Sequence, residues 1–523
     1  MKTKSIFLAC SLFFAATAWS QSKVFKEVND DISSQMKIIT QDEALIGYLV
    51  FSQLEKTNKD SFNYQVSIMD ENLNDIGKLN FREKNLELQA VSFDQDVLCL
   101  VYLKSDMADL KSTSMKKIRR SLDGGTNAVF TQLVNLQGEI INTNAHPVDL
   151  SIKEEIAYVK NSRPSTIPGR LKHEVTLKNI PGKGFALFYG DERKNLLSVI
   201  DLTGKEIWQK TITEGKGFNM LTSPSDIYLL SKKEHQKWEG GFNLRGYNAT
   251  NGTAYDNYEL KDKKGNQLKV LNFELDPATS KPLVTGVVIN QNRGNQYINV
   301  KGLHKGAYDG VFTLMVNGPK KSDIKERFSY WKDGSRSPEI KTNGMLSEGK
   351  LYPHYTKTIR DYQGNTYFVG SSYIRKVRVG GIIASVITLP ILVPPIALMS
   401  PGTHKVKQTD VVLLKQDSTG KIHYENSIDA VNSRYLPSRQ PFYAFENRGF
   451  YSVTNAASKS SFLIMDESQK AVIYNVEKRK IVRSVPHKDG NISTYIFPAK
   501  EGHIMVMEYN RKARETKLSI EAL

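Results

Sequence analysis

Cysteine is almost missing from this chain: its 523 residues hold two, Cys10 and Cys99, and Cys10 lies in a removable leader described below. With one cysteine left, no intramolecular disulfide can form, so stability has to come from burial, which this length permits. Histidine is present only as scattered single residues, with no His-Glu-x-x-His, paired cysteines or EF-hand loop, so no motif defines a metal centre. Walker, dinucleotide and Gly-x-Ser-x-Gly signatures are also missing, and no cofactor is expected. Long runs of helical periodicity do not occur, and no Pro- or Ser-rich linker divides the chain. Hydrophobic residues at 40% and charged residues at 24% exclude a disordered composition and describe one large globular unit.

What is abundant is a turn. Asn135-Leu-Gln-Gly138, Asp201-Leu-Thr-Gly204, Asp361-Tyr-Gln-Gly364 and Asp417-Ser-Thr-Gly420 each join two short runs of β-branched and aromatic residues. The Asp or Asn side chain accepts hydrogen bonds from the turn's own backbone, and Gly takes the positive-φ position. Looser versions begin at Asp70, Asn248, Asp309 and Asp466. Strand-like runs of 4–10 residues fill the intervals, so the whole reads as antiparallel sheet. Turns recurring at this spacing suit four-stranded sheets stacked around an axis, an all-β β-propeller with insertions in some blades. Seven blades are favoured, with eight the alternative, and residues 518–523 are a candidate ring-closing strand. The expected organisation is a leader at 1–20, one propeller domain over 21–523, and an apolar helix–loop insertion at 376–407.

The leader is read from Lys2 and Lys4, an uncharged apolar stretch over 6–19, and the small residues Ala18 and Ser20. Cleavage is expected between Ser20 and Gln21, which places the protein in the periplasm, at the outer-membrane periphery or outside the cell. Lys2 and Lys4 are the only charges removed, so the formal net charge falls from +17 to +15. Cys99, inside the apolar run 97–101, reads as an inert core thiol.

Residues 379–403 carry no charge at all. Their length meets the criterion for a membrane span, but Pro390, Pro394 and Pro395 interrupt any helical ladder. The unbroken part, 380–389, would be about 15 Å long, half of the ~30 Å hydrocarbon core. The flanking runs 366–373 and 410–415 read as neighbouring strands of one blade. The insertion then begins and ends on one side, which excludes a single crossing. Its apolar residues, Ile382, Ile383, Ile387, Leu389, Ile391, Leu392, Val393, Ile396, Leu398 and Met399, are the candidate contact for a partner or membrane interface, with folding onto the propeller's own face as the alternative.

A second candidate contact is basic. Lys116, Lys117, Arg119 and Arg120 form the densest cationic cluster, and Arg375, Lys376 and Arg378 flank the apolar stretch. These suit an anionic surface such as phospholipid or acidic polysaccharide, and export excludes nucleic acid as the natural partner. The stretch 105–120 that holds the first cluster breaks the strand pattern, as a short helix or an exposed insertion. Acid pairs such as Asp94 and Asp96 have hairpin-turn spacing.

Two segments resemble known blade motifs. The run 197–208, with Asp201, Thr203, Gly204, Lys205 and Trp208, resembles one repeat of the quinoprotein-type propellers, one residue shorter than their usual spacing. That resemblance implies that Trp208 docks onto the neighbouring blade, and it speaks for the fold and not for a quinone. Tyr330-Trp-Lys-Asp333 resembles the Tyr-Trp-Thr-Asp blade motif. The chain as a whole looks like a secreted bacterial propeller. The function these features favour is a non-catalytic binding or assembly platform of the cell envelope, with an envelope protein or anionic surface as partner. The alternatives are a propeller hydrolase or lyase on an anionic glycan, and a peripheral membrane protein held by 379–403.

Overall fold

A computed structural model describes residues 21–523 except 27–32, 43, 58–60, 85, 106–126, 148–174, 191–194, 214–215, 234–240, 277–278, 291–305, 319, 335, 350, 378–403, 430–449 and 467–468. The described chain is β-sheet throughout, with one 3₁₀ turn at Lys321–Asp323 and no α-helix.

Eight antiparallel sheets follow one another, seven built from four consecutive strands each. These are blade 1 (33–84), blade 2 (86–147), blade 3 (176–212), blade 4 (216–259), blade 5 (268–330), blade 6 (353–429) and blade 7 (450–486). Blade 8 (492–522) has three main strands of its own, and Gln21–Lys26 supplies its outer strand by pairing along Glu515–Ala522, with Gln21 opposite Ile520. The two ends of the described chain thus share one sheet, and hydrogen bonds close the ring.

First strands of neighbouring blades touch at the junctions of blades 1 to 6 and of blades 7 and 8, so first strands lie innermost, and the outer strands of blades 1, 2, 3 and 7 are the most exposed. Alternation then fills the gaps between blades. In blade 2, Leu98, Leu100 and Tyr102 pack against blade 1, while Val97, Cys99 and Val101 pack against blade 3. Eight apolar clusters result, one at each junction around the ring, including blade 8 against blade 1 through Tyr48, Met69, Met505 and Leu518. Period-2 patterning buries both faces of each sheet, so the core is a set of radial seams.

This corrects the expected blade number: there are eight blades, not seven. The recurring turns did not mark one position per blade. Asp70, Asn135, Asp201, Asn248 and Asp417 begin turns between third and outer strands, whereas Asp361 begins an inner hairpin. Asp309 lies inside the strand Tyr308–Val316 and turns nothing. Asp262 to Gly265, a turn of the same chemistry, sits in the connection from blade 4 to blade 5.

The helix–loop insertion is also corrected. The neighbouring strands of blade 6 do pair, with Tyr367 opposite Lys415 and Val369 opposite Leu413. Pairing continues through Arg375 and Lys376 to Val377 opposite His404, so both ends of the expected insertion are sheet. The added ladder hydrogen bonds favour extending the hairpin over starting a helix there. Among the described residues, no helix is long and apolar enough to cross a membrane.

Candidate functional site

The two ends of the ring differ. At the turn end, inner strands pass to second strands and third to outer strands through tight corners. At the opposite end, the loop end, the strands joined by 106–126, 148–174, 290–307, 331–352, 378–403 and 430–449 begin and finish, and each of these connections is longer than any at the turn end. The sequence-predicted cations Lys116, Lys117, Arg119 and Arg120 fall in the first, outside the described residues. Arg378 and the apolar residues from Ile382 to Met399 fall in the fifth, also outside them. Arg375 and Lys376 lie at the loop end of the strand Thr366–Val377. The chain therefore leaves toward both candidate contacts from the same end, but from blades 2 and 6, on opposite sides of the eightfold ring.

The turn end is built from short polar ties. Asp201 Oδ1 accepts from the Thr203 and Lys205 amides at 2.9 and 3.0 Å, and Gly204 completes the corner at φ 85°. Asp417 repeats this with Thr419 and Lys421 at 2.9 Å each. Burial opposes the charge of Asp417, but bonds from Thr419, His423 and the two amides outweigh it and hold the carboxyl well below its usual range.

These turns also join blades. From the outer strand of blade 2, the Asn142 and Asn144 amides donate to the carbonyls of Thr203 and Gly204 in blade 3, both at 2.9 Å. Trp208 of blade 3 donates from Nε1 to Ala249 O at 2.8 Å in blade 4, and a Cβ on Gly252 would lie 2.9 Å from its ring. Ser329 of blade 5 donates to Gly420 O of blade 6 at 2.6 Å. Glu425 of blade 6 pairs with Arg479 of blade 7 at 2.6 Å, and Lys23 of blade 8 pairs with Asp75 of blade 1. Trp208 thus does dock onto the next blade, as the blade resemblance implied, although the contact is not repeated by other Trp-bearing turns. The Tyr330–Asp333 motif places Trp331 in the seam of blades 5 and 6, donating to Tyr308 O at 2.8 Å.

Nearer the axis, inner strands are tied at the same end. Asp94, 1% exposed, accepts from the amides of Gly182 and Gly184 in blade 3 at 3.2 and 3.1 Å. Asn179 of blade 3 exchanges two hydrogen bonds with Asp42 of blade 1, at 3.0 and 2.7 Å. Arg360 of blade 6 pairs with Asp276 of blade 5 at 3.0 Å and donates to Thr366 Oγ1 at 2.9 Å.

Beside that pair stand Glu274 on Leu268–Leu275 and Lys357 on Pro353–Arg360, the inner strands of blades 5 and 6. Burial raises the Glu274 carboxyl, with Lys357 pulling it back, and burial lowers the Lys357 ammonium, with Glu274 pushing it up. Both side chains are half-buried on adjoining inner strands, where burial works against each charge and the partner works for it. This is the candidate axial site. Asp276, whose charge also bears on Glu274, is paired with Arg360 at 3.0 Å. Cys99 is fully buried in the seam of blades 2 and 3, and burial pushes its thiol up and away from nucleophilicity. No cluster of three metal-ligating side chains occurs among the described residues.

Sequence reasoning missed Asp94 as a tie, and missed Glu274, Asp276, Lys357 and Arg360 altogether. Only Asp94, closing an apolar run at a hairpin, carried a readable signal.

The arrangement defines an eight-bladed β-propeller. The model of a family of unknown function, DUF6770, matches residues 1–155. No curated protein matches the chain. Among solved structures it is similar to the Dos1 propeller, at 7% identity over 95% of this chain and 94% of that one, with a TM-score of 0.43. It is also similar to the WD40 domain of SCAP from fission yeast (8%, 96% and 98%, TM-score 0.41) and to apo AztD from Citrobacter koseri (9%, 88% and 92%, TM-score 0.37). At such identities the likeness is one of fold alone, and the blade count rests on strand pairing.

Proposed function

We propose that the protein is a non-catalytic binding platform of the cell envelope, with the loop end as its working face. One observation carries this reading: the long connections all leave from and return to one end of a ring whose other end is tied by short polar corners. A rigid scaffold that sends variable segments to one side is how propellers present binding surfaces. The apolar stretch 379–403 and the basic cluster 116–120 both belong to that set, and they suit an envelope protein or anionic surface as partner. Export through removal of residues 1–20 is part of the proposal, and it leaves Gln21 at the start of the strand that closes blade 8.

The test joins Val377 to His404 by a short Gly-Ser turn in place of 378–403, which the paired strands there can accommodate. After crosslinking in the producing organism, the shortened protein is expected to be folded and exported but to lose the envelope components that the full chain retains. Retention of the same components by this variant and by one lacking 108–124 would overturn the reading. Amino-terminal sequencing of exported protein should begin at Gln21.

A further inference from the structure

Large hydrophobic side chains are exposed in a pattern. Of those standing 41–52% exposed among the described residues, only Ile38 and Tyr495 lie on inner strands. The rest lie on the outer strands of blades 7, 8, 1, 2 and 3, a contiguous arc of the rim. Four share one structural position. Ile76, Ile141, Ile207 and Val482 are each the extra residue of a β-bulge just after the turn into the outer strand, exposed 47, 44, 46 and 41%. A scattered surface aliphatic needs no explanation, but the same bulge carrying one in four blades does.

Blade 6 shows what such an edge accepts. Its outer strand Ile422–Asp429 is covered by the connection from blade 5, which runs parallel to it with Arg336 opposite Ile422. The Ser337 amide donates to Ile422 O at 2.8 Å, and the Tyr424 amide donates to Ser337 Oγ at 3.0 Å. Ile340 and Leu346 then seal the edge, and Ile422 is fully buried. Ile422 stands two residues after Gly420, as Ile140 stands two after Gly138, yet Ile140 is 45% exposed.

We propose that an outer strand in the arc of blades 7, 8, 1, 2 and 3 takes an extended acidic segment of a partner protein as an added strand, extending the single bridge that residues 336–337 make to blade 6. Beyond the bulge, each outer strand is the last of its sheet among the described residues, and its backbone groups can pair with a strand but not with a lipid. Charge selects the sign: the arc's outer strands carry Lys23, Lys26, Lys78, Arg82, Lys84, Lys210, Lys480 and Arg483 against Asp75, Glu83 and Glu206, an excess of cations that remains after Lys23 pairs with Asp75 and Arg483 with Glu521. The same balance, on a chain of net charge +17, opposes a second copy as the occupant. This rim is separate from the loop end, so its failure would leave the platform reading standing.

The probe is a fluorescein-labelled ten-residue peptide of alternating valine and glutamate, titrated with the full chain and followed by anisotropy. Binding is expected, weakened about tenfold or more by methylating alternate peptide nitrogens and by the joint variant Ile76→Asp, Ile141→Asp, Ile207→Asp, Val482→Asp. All four positions are exposed, and an unchanged thermal midpoint certifies the fold. No binding, binding insensitive to methylation, or binding unchanged in the variant would overturn the proposal. So would self-association in sedimentation that the variant abolishes, or variant-sensitive pelleting with phosphatidylglycerol vesicles in place of peptide binding.

Discussion

Blades 2 and 6 carry nearly the same corner. Gly138-Glu139-Ile140 and Gly420-Lys421-Ile422 both follow a four-residue turn opened by Asn or Asp, and both lead into an outer strand. Ile140 faces water, while Ile422 is sealed beneath Ile340 and Leu346. Local sequence is nearly constant between them. Two things differ: among the described residues a segment from a neighbouring blade lies over blade 6 and none over blade 2, and the bulge falls at Ile141 in blade 2 but later, at Glu425, in blade 6. Burial at the rim is thus decided by the setting of the edge and not by the residue on it.

Truncation separates the two corners most strongly. Ile422→Ala is expected to cost about 2–5 kcal/mol, because a cavity opens in a seam with no room to collapse. Ile140→Ala should stay within about 0.5 kcal/mol, since it removes little buried surface. Denaturant unfolding of both variants measures the contrast, and equal costs would break it.

Among the described residues no segment pairs with the rim of the open arc, and its blades are joined by ties nearer the axis. Asp94→Ala strands the buried amide of Gly184 and releases the exposed one of Gly182, at an expected cost of about 1–3 kcal/mol. Protection of those two amides from hydrogen exchange should fall before that of blade 6.

The cover itself can be loosened gently. Ser337→Ala removes the acceptor for the Tyr424 amide and should cost about 1 kcal/mol. Faster exchange of the Ser337 and Tyr424 amides, with the blade 2 rim unchanged, is the expected signature.

The smallest effect concerns acid. Asp417 gives up its proton more readily folded than unfolded, so the unfolded chain takes up protons first as pH falls. Its stabilisation is whole above the ordinary carboxyl value of 3.8 and is lost as pH drops through the held-down value. Blade 2 uses Asn135 at this corner, where Oδ1 accepts from the Glu139 amide at 2.8 Å and cannot titrate. Asp417→Asn should therefore flatten the acid limb of a plot of thermal midpoint against pH. An unchanged limb would assign the acid sensitivity elsewhere.

The sheet class was legible because its signals are local. Asp201, Gly204 and the alternation of residues 97–102 state their chemistry within a few positions. Blade number was not legible, since Asp309-Gly310 reads like a turn but is a bulge within a paired strand, Asp309 the extra residue and Gly310 opposite Tyr330. Counting corners also could not reveal that Gln21–Lys26 belongs to the last blade. The hairpin of blade 6 was read correctly, but its length was not. Arg375, Lys376, Lys405 and Lys407 look like flanking loop charges until ladder pairing carries them into sheet. The axial group escaped because Glu274 and Lys357 belong to separate blades, and nothing near either residue in the chain announces the other.

By itself the sequence determined strands, corners and the faces that would seek apolar contact, because hydrogen bonding within turns and alternation along strands act over a few residues. Tertiary structure alone decided how many sheets close the ring, which carboxylates are spent as ties, and which outer edges stay open. Those outcomes depend on the meeting of segments far apart in the chain, and ring closure selects among contacts that local chemistry leaves equal.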